Sequence, residues 1–80
     1  MSEPLIPLAR AVFYEVARVE EELGVALGAV RLDIEKRTVV VEGTGLLEWG
    51  PRTRLEVQLE RCGVRHETHA PSMRIVVYPS

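Results

Sequence analysis

The stretch RCGVRHETHAPSMRIVVYPS, residues 61–80, decides how the rest of the chain can fold. Gly63 is a helix stop, and VRHETH beyond it cannot continue a helix. APS, residues 70–72, supplies the proline and serine of a turn, and MRIVVYP then alternates Met73, Ile75 and Val77 against Arg74, Val76 and Tyr78. The stretch therefore reads as two strands joined by a turn. The second strand is the more apolar, as an interior strand should be beside a polar edge strand.

Working back from Gly63, PRTRLEVQLERCG (51–63) sets Leu55, Leu59 and Cys62 on one face at spacings of four and three. This predicts a helix that buries Cys62. GTGLLEWGP (43–51) reads as a loop whose Leu46, Leu47 and Trp49 cover one end of the core, with Trp49 as a lid. AVRLDIEKRTVVVEG (29–43) alternates Val30, Leu32 and Ile34 with Arg31, Asp33 and Glu35, then gives the β-branched run 38–41. That is a hairpin turning at residues 35–37. PLIPLARAVFYEVARVEEELG (4–24) repeats apolar residues at Leu5, Leu8, Val12, Val16, Val19 and Leu23. It predicts a helix over 7–23, with Pro7 in the first turn, Gly24 as a left-handed cap, and Glu15 and Glu20 to Glu22 mostly on a solvated face.

The order is αββαββ in a single domain over residues 1–80. The fold class is α+β, a two-layer sandwich in which a four-stranded antiparallel sheet carries two helices on one face. At 80 residues, folding buries only about 60% of the surface an unfolded chain exposes, so the domain gains from association. With 46% hydrophobic and 28% charged residues the whole chain is expected to fold. The net charge of −2 gives no general attraction for nucleic acid or anionic membrane. One cysteine excludes an internal disulfide, no secretory leader pattern is read, and no apolar run reaches the roughly 18 residues of a membrane span. A cytoplasmic protein is expected. Nine of the ten basic residues are arginine, which fits a GC-rich or thermophilic source as readily as a recognition surface.

VARVEEEL (16–23), VRLDIEKRTVVVEG (30–43) and LERCGV (59–64) together resemble heavy-metal-associated domains of the ferredoxin-like fold, over about half the chain. The resemblance implies that these segments are the end of a first helix, a hairpin, and the end of a second helix entering an edge strand. It departs at the front. The family's first strand and its Cys-x-x-Cys metal loop would precede the first helix, where only residues 1–6 stand, so its metal function is not carried over. If MRIVVYP fills the vacant interior position of the sheet, the fold is a circularly permuted ferredoxin-like one.

Chemistry-bearing residues are few. Cys62, His66 and His69 are of metal-ligand type, but His66 and His69 point to opposite faces of a strand and Cys62 to the core, so no metal or other cofactor is expected. A buried cysteine and scattered glutamates offer no nucleophile or acid–base pair, and Gly43-Thr44-Gly45 lacks phosphate-loop spacing; no catalysis is expected. The sheet face away from the helices carries Arg31, Asp33, Glu35, Val40, Glu42, Arg65, Glu67, His69, Arg74, Val76 and Tyr78. Val40, Val76 and Tyr78 should meet at its centre, rimmed by Arg31 and Arg74, with the anatomy of a protein contact. The leading expectation is an interaction or assembly domain acting through this face or an edge strand, by self-association or on a protein partner. The alternatives are single-stranded nucleic acid stacked on Tyr78 with Arg31, Arg65 and Arg74, and metal bound by Cys62, His66 and His69.

Overall fold

A computed structural model describes residues 5–79; residues 1–4 and 80, part of the domain expected over 1–80, lie outside the described residues. Helix α1 spans Leu5–Leu23, strands β1 and β2 span Ala29–Asp33 and Thr38–Glu42, and a 3-10 turn follows at Thr44–Leu47. Helix α2 is Trp49–Arg61, β3 is Arg65–His69, a 3-10 turn spans Ala70–Ser72, and β4 is Arg74–Tyr78. This is an α+β domain with a four-stranded antiparallel sheet and two helices packed against it.

The strand order is β1-β2-β4-β3. The last strand of the chain thus lies between β2 and β3, the interior position expected for the most apolar run. Val39 and Val41 of β2 pair with Val77 and Ile75 of β4, and all four are fully buried beneath the helices. Val12, Val16 and Val19 of α1 and Leu55 and Leu59 of α2 close over them, with Leu27 and Leu46 sealing one end. Each fully buried aliphatic side chain stabilises the fold by about 1.5–3 kcal/mol through transfer from water.

Both helices end on the expected glycines. Gly24 and Gly63 have φ of 68° and 74°, left-handed values that cost a residue with a Cβ far more. The glycines of residues 43–45 do something different: they let two loops touch backbone to backbone. A Cβ on Gly43 would lie 2.4 Å from the Cα of Gly28, and one on Gly45 would lie 2.1 Å from the carbonyl oxygen of Ala26. The cluster is a packing device for the segment that brings Leu27 into the core.

Five positions depart from the sequence reading. Ile34 belongs to the hairpin turn and is 73% exposed, because Asp33 Oδ1 accepts the Lys36 N–H and closes the strand one residue early. Met73 adopts φ 55° at the end of its 3-10 turn, where its carbonyl accepts the Gly43 N–H at 3.0 Å, so β4 begins at Arg74. Trp49 is no lid: α2 starts there, two residues before Pro51, and the indole is 72% exposed while Leu27 and Leu46 fill the end of the core. Leu47 is exposed as well, its carbonyl and that of Leu46 accepting from Arg52 Nη1. Cys62 is exposed rather than buried. It lies just past the last helical residue, where its N–H still reaches back to Gln58 and Leu59 but its side chain has left the core face.

The acidic residues of α1 are not simply solvated. Glu22 receives Arg54 through two bonds, Nε to Oε2 at 2.8 Å and Nη2 to Oε1 at 2.9 Å. Arg54 Nη1 donates to Gln58 Oε1, and Gln58 Nε2, on a buried side chain, donates to Glu15 Oε1 at 2.7 Å. The result is a polar clamp along one side of the α1–α2 contact. Glu20 Oε2 accepts the Leu27 N–H at 2.8 Å, fixing the loop between α1 and β1. Among the described residues no helix is long and apolar enough to cross a membrane.

Candidate functional site

The face of the sheet away from the helices is built from alternate residues of all four strands. Arg31 lies opposite Val40, Val40 opposite Val76, Val76 opposite Glu67, and Arg65 opposite Tyr78. Val40, Val76 and Tyr78 do come together, as the alternation implies. Their exposure is what differs: Val40 is only 2% exposed, and Val76 and Tyr78 are half-buried. The apolar centre therefore offers less open surface than the alternation alone implies. The hollow over it is lined by Val40, Val76 and Tyr78 together with Thr38 and the charged or titratable Asp33, Lys36, Glu67, His69 and Arg74. Arg74 is half-buried, and its Nε is buried with no hydrogen-bond partner among the described residues.

Two linked contacts take up Tyr78. Its hydroxyl donates to Glu67 Oε1 at 2.9 Å, and the Arg65 guanidinium lies over its ring, 5.2 Å from the centroid. The Glu67 bond comes first among the causes that push the Tyr78 hydroxyl up from its ordinary range, with desolvation after it. His69 Nε2 stands 3.5 Å from the same Glu67 oxygen. Arg31 Nε bridges to Glu42 Oε1 at 3.2 Å. A ring capped by a guanidinium presents less surface for a stacked base than a bare one.

The three metal-type residues stand apart. Cys62 closes α2 beside Glu15; His66 lies opposite Val77 and so faces the helix layer, its Nδ1 3.4 Å from the Val64 carbonyl; His69 is on the other face. Among the described residues no group of three histidine, cysteine or acidic side chains converges. Desolvation, and then the Glu15 carboxylate, push the Cys62 thiol up from its ordinary value.

A second surface lies at the other side of the molecule, where periodicity did not point. Among the described residues strand β1 pairs only with β2, so its outer edge carries backbone groups that no other described strand takes up. Along that edge runs a groove of about 420 Å³ between α1 and β1, lined by Ile6, Ala9, Arg10 and Phe13 from the helix and Val30, Arg31 and Leu32 from the strand. Phe13 is 62% exposed and Ile6 63%, with Ile34 exposed at the end of the same edge. The opposite edge, β3, reads Arg-His-Glu-Thr-His, with Thr68 tied to Glu56 of α2. Ile6 and Phe13 sit seven residues apart on α1, off the stripe of Val12, Val16 and Val19. Large apolar side chains at helical spacing outside the core stripe were the signal for this flank.

Compared with protein-family models, curated proteins and solved structures, the chain matches none, so the function has to be read from its own surfaces.

Proposed function

We propose that this chain is a non-catalytic interaction domain that holds a protein partner along the free edge of β1 and the adjoining flank of α1. The observation that carries the reading is Phe13 and Ile6, exposed beside an unpaired strand edge, with Ile34 extending the apolar strip. A strand edge offers main-chain hydrogen bonds, and an apolar groove beside it supplies selectivity, which is the chemistry of strand addition. This favours the edge over the open sheet face, where Val40 has almost no surface and Val76 and Tyr78 are half-buried between Arg31 and Arg74. The single exposed thiol, with no disulfide to form within the chain, is compatible with a reducing compartment, and we place the domain in the cytoplasm.

The test is affinity capture from an extract of the source organism, with wild type and Phe13→Arg as baits. Because the Phe13 side chain is mostly exposed, the substitution leaves the core intact. The expected result is a stoichiometric companion, a second copy of the chain or another protein, held by the wild type and lost by the variant. Retention of the same proteins by both baits, or of none by either, would reject the surface.

A further inference from the structure

Resting on the docking surface just proposed, we infer that its partner is a second copy of this chain, joined β1 to β1 in antiparallel fashion about a two-fold axis at Leu32. The two four-stranded sheets then form one continuous sheet.

The choice follows from what each register puts opposite what. In an antiparallel pair of identical strands, the residue on the axis faces itself and its neighbours pair symmetrically, so each residue meets one on the same face of the sheet. β1 spans five residues; with Ala29 on the axis Arg31 would meet the buried Leu27, which leaves four choices. With Arg31 or Asp33 on the axis, like charges stand directly opposite, which is destabilising. With Val30 on the axis, Asp33 meets Leu27, a residue buried in the core. With Leu32 on the axis, Arg31 of each copy faces Asp33 of the other, and Ile34, in the turn just past the strand end, comes beside Val30 of the other. The strand is self-complementary in that register alone.

The same register uses features the single chain leaves over. Ile34, the most exposed of the large apolar side chains, gains an aliphatic neighbour. Arg31 uses only Nε for Glu42, which leaves the terminal nitrogens of its fork for a second carboxylate. Ile6 and Phe13 stand on the flank of α1 that borders β1, so they close over the seam from the helix side.

Sedimentation equilibrium on purified protein provides the test. Wild type is expected to dimerise, and Arg31→Asp and Asp33→Arg are each expected to weaken the dimer about tenfold or more, because each sets like charges opposite twice. Mixed together, the two variants should restore a heterodimer, since one chain then carries two acids and the other two arginines. Ile34→Glu, at an exposed turn position, should abolish dimerisation without lowering the melting temperature of the monomer. Circular dichroism checks folding; if Arg31→Asp, which loses its Glu42 bridge, melts early, Asp33→Arg and Ile34→Glu carry the test. A wild type monomeric at high micromolar concentration overturns the inference, as does a dimer indifferent to Asp33→Arg and Ile34→Glu, or folded charge variants that fail to pair when mixed. Monomeric purified protein together with Phe13-dependent capture of another protein would reject the second copy and keep the docking surface. Loss of both would reject both.

Discussion

Cys62 is exposed, yet its thiol is held in the neutral form by desolvation and by Glu15. The thiolate is the reactive species, so accessibility and reactivity separate here. Alkylation by iodoacetamide should follow a pH profile displaced to higher pH than that of free cysteine, and Glu15→Gln should move the profile back down. Rates measured from neutral to alkaline pH check this; a profile matching free cysteine would contradict it. Val40 shows the converse, a residue on the open face with almost no surface. Val40→Ala should cost about 2 kcal/mol in urea unfolding, as for a core aliphatic, whereas a loss below about 0.5 kcal/mol would mean that its cover is loose. Alternation along a strand tells which face a side chain takes. It does not tell how much of a central residue's surface its neighbours leave open, and that is why Val40 read as exposed.

At the scale of elements, the glycine stops and apolar spacings were legible, because a left-handed cap and a helical stripe are local properties of the chain. The α1–α2 clamp was not. Arg54 and Glu22 are thirty-two positions apart, and only the packed helices bring them together. The bond from Arg54 holds the Glu22 carboxyl below its ordinary range. A depressed carboxyl contributes stability above its unfolded value and loses it as pH falls through the folded one. Glu22→Gln should therefore flatten the acid limb of a plot of melting temperature against pH, below the ordinary carboxylate range, and leave the neutral limb nearly parallel to wild type. An unchanged acid limb would show the bond to be without effect on stability. Gln58→Ala, which removes the buried link to Glu15, should cost about 1–2 kcal/mol at neutral pH. The misplaced elements, Ile34 in a turn and Trp49 at a helix start, share a cause: a side-chain bond or a first-turn proline moved the boundary, and boundaries are the weakest part of any periodic reading.

For the molecule as a whole, the order of elements and the interior place of the last strand were legible from pattern and composition, since MRIVVYP is more apolar than RHETH. The candidate docking edge was not, because Ile6 and Phe13 fall outside the stripe that periodicity seeks. If that edge pairs two copies, the melting temperature should rise with protein concentration for wild type and stay constant for Ile34→Glu. Scanning calorimetry at two concentrations separates the two outcomes.

The placement of β4 has a further bearing on how the chain comes into being. Among the described residues β3 hydrogen-bonds to β4 and to no other strand, and β4 is also the only one that ties β3 to the β1–β2 hairpin. Synthesis proceeds from the N-terminus, so on the ribosome the first hairpin and both helices emerge before the strand that joins the sheet together. Until Arg74 to Tyr78 clear the exit tunnel, β2 shows a bare edge of three consecutive valines and β3 has nothing to pair with. The closing step is then a single late insertion between two waiting edges, and a nascent chain stalled just short of it would be the form of this protein most in need of a chaperone.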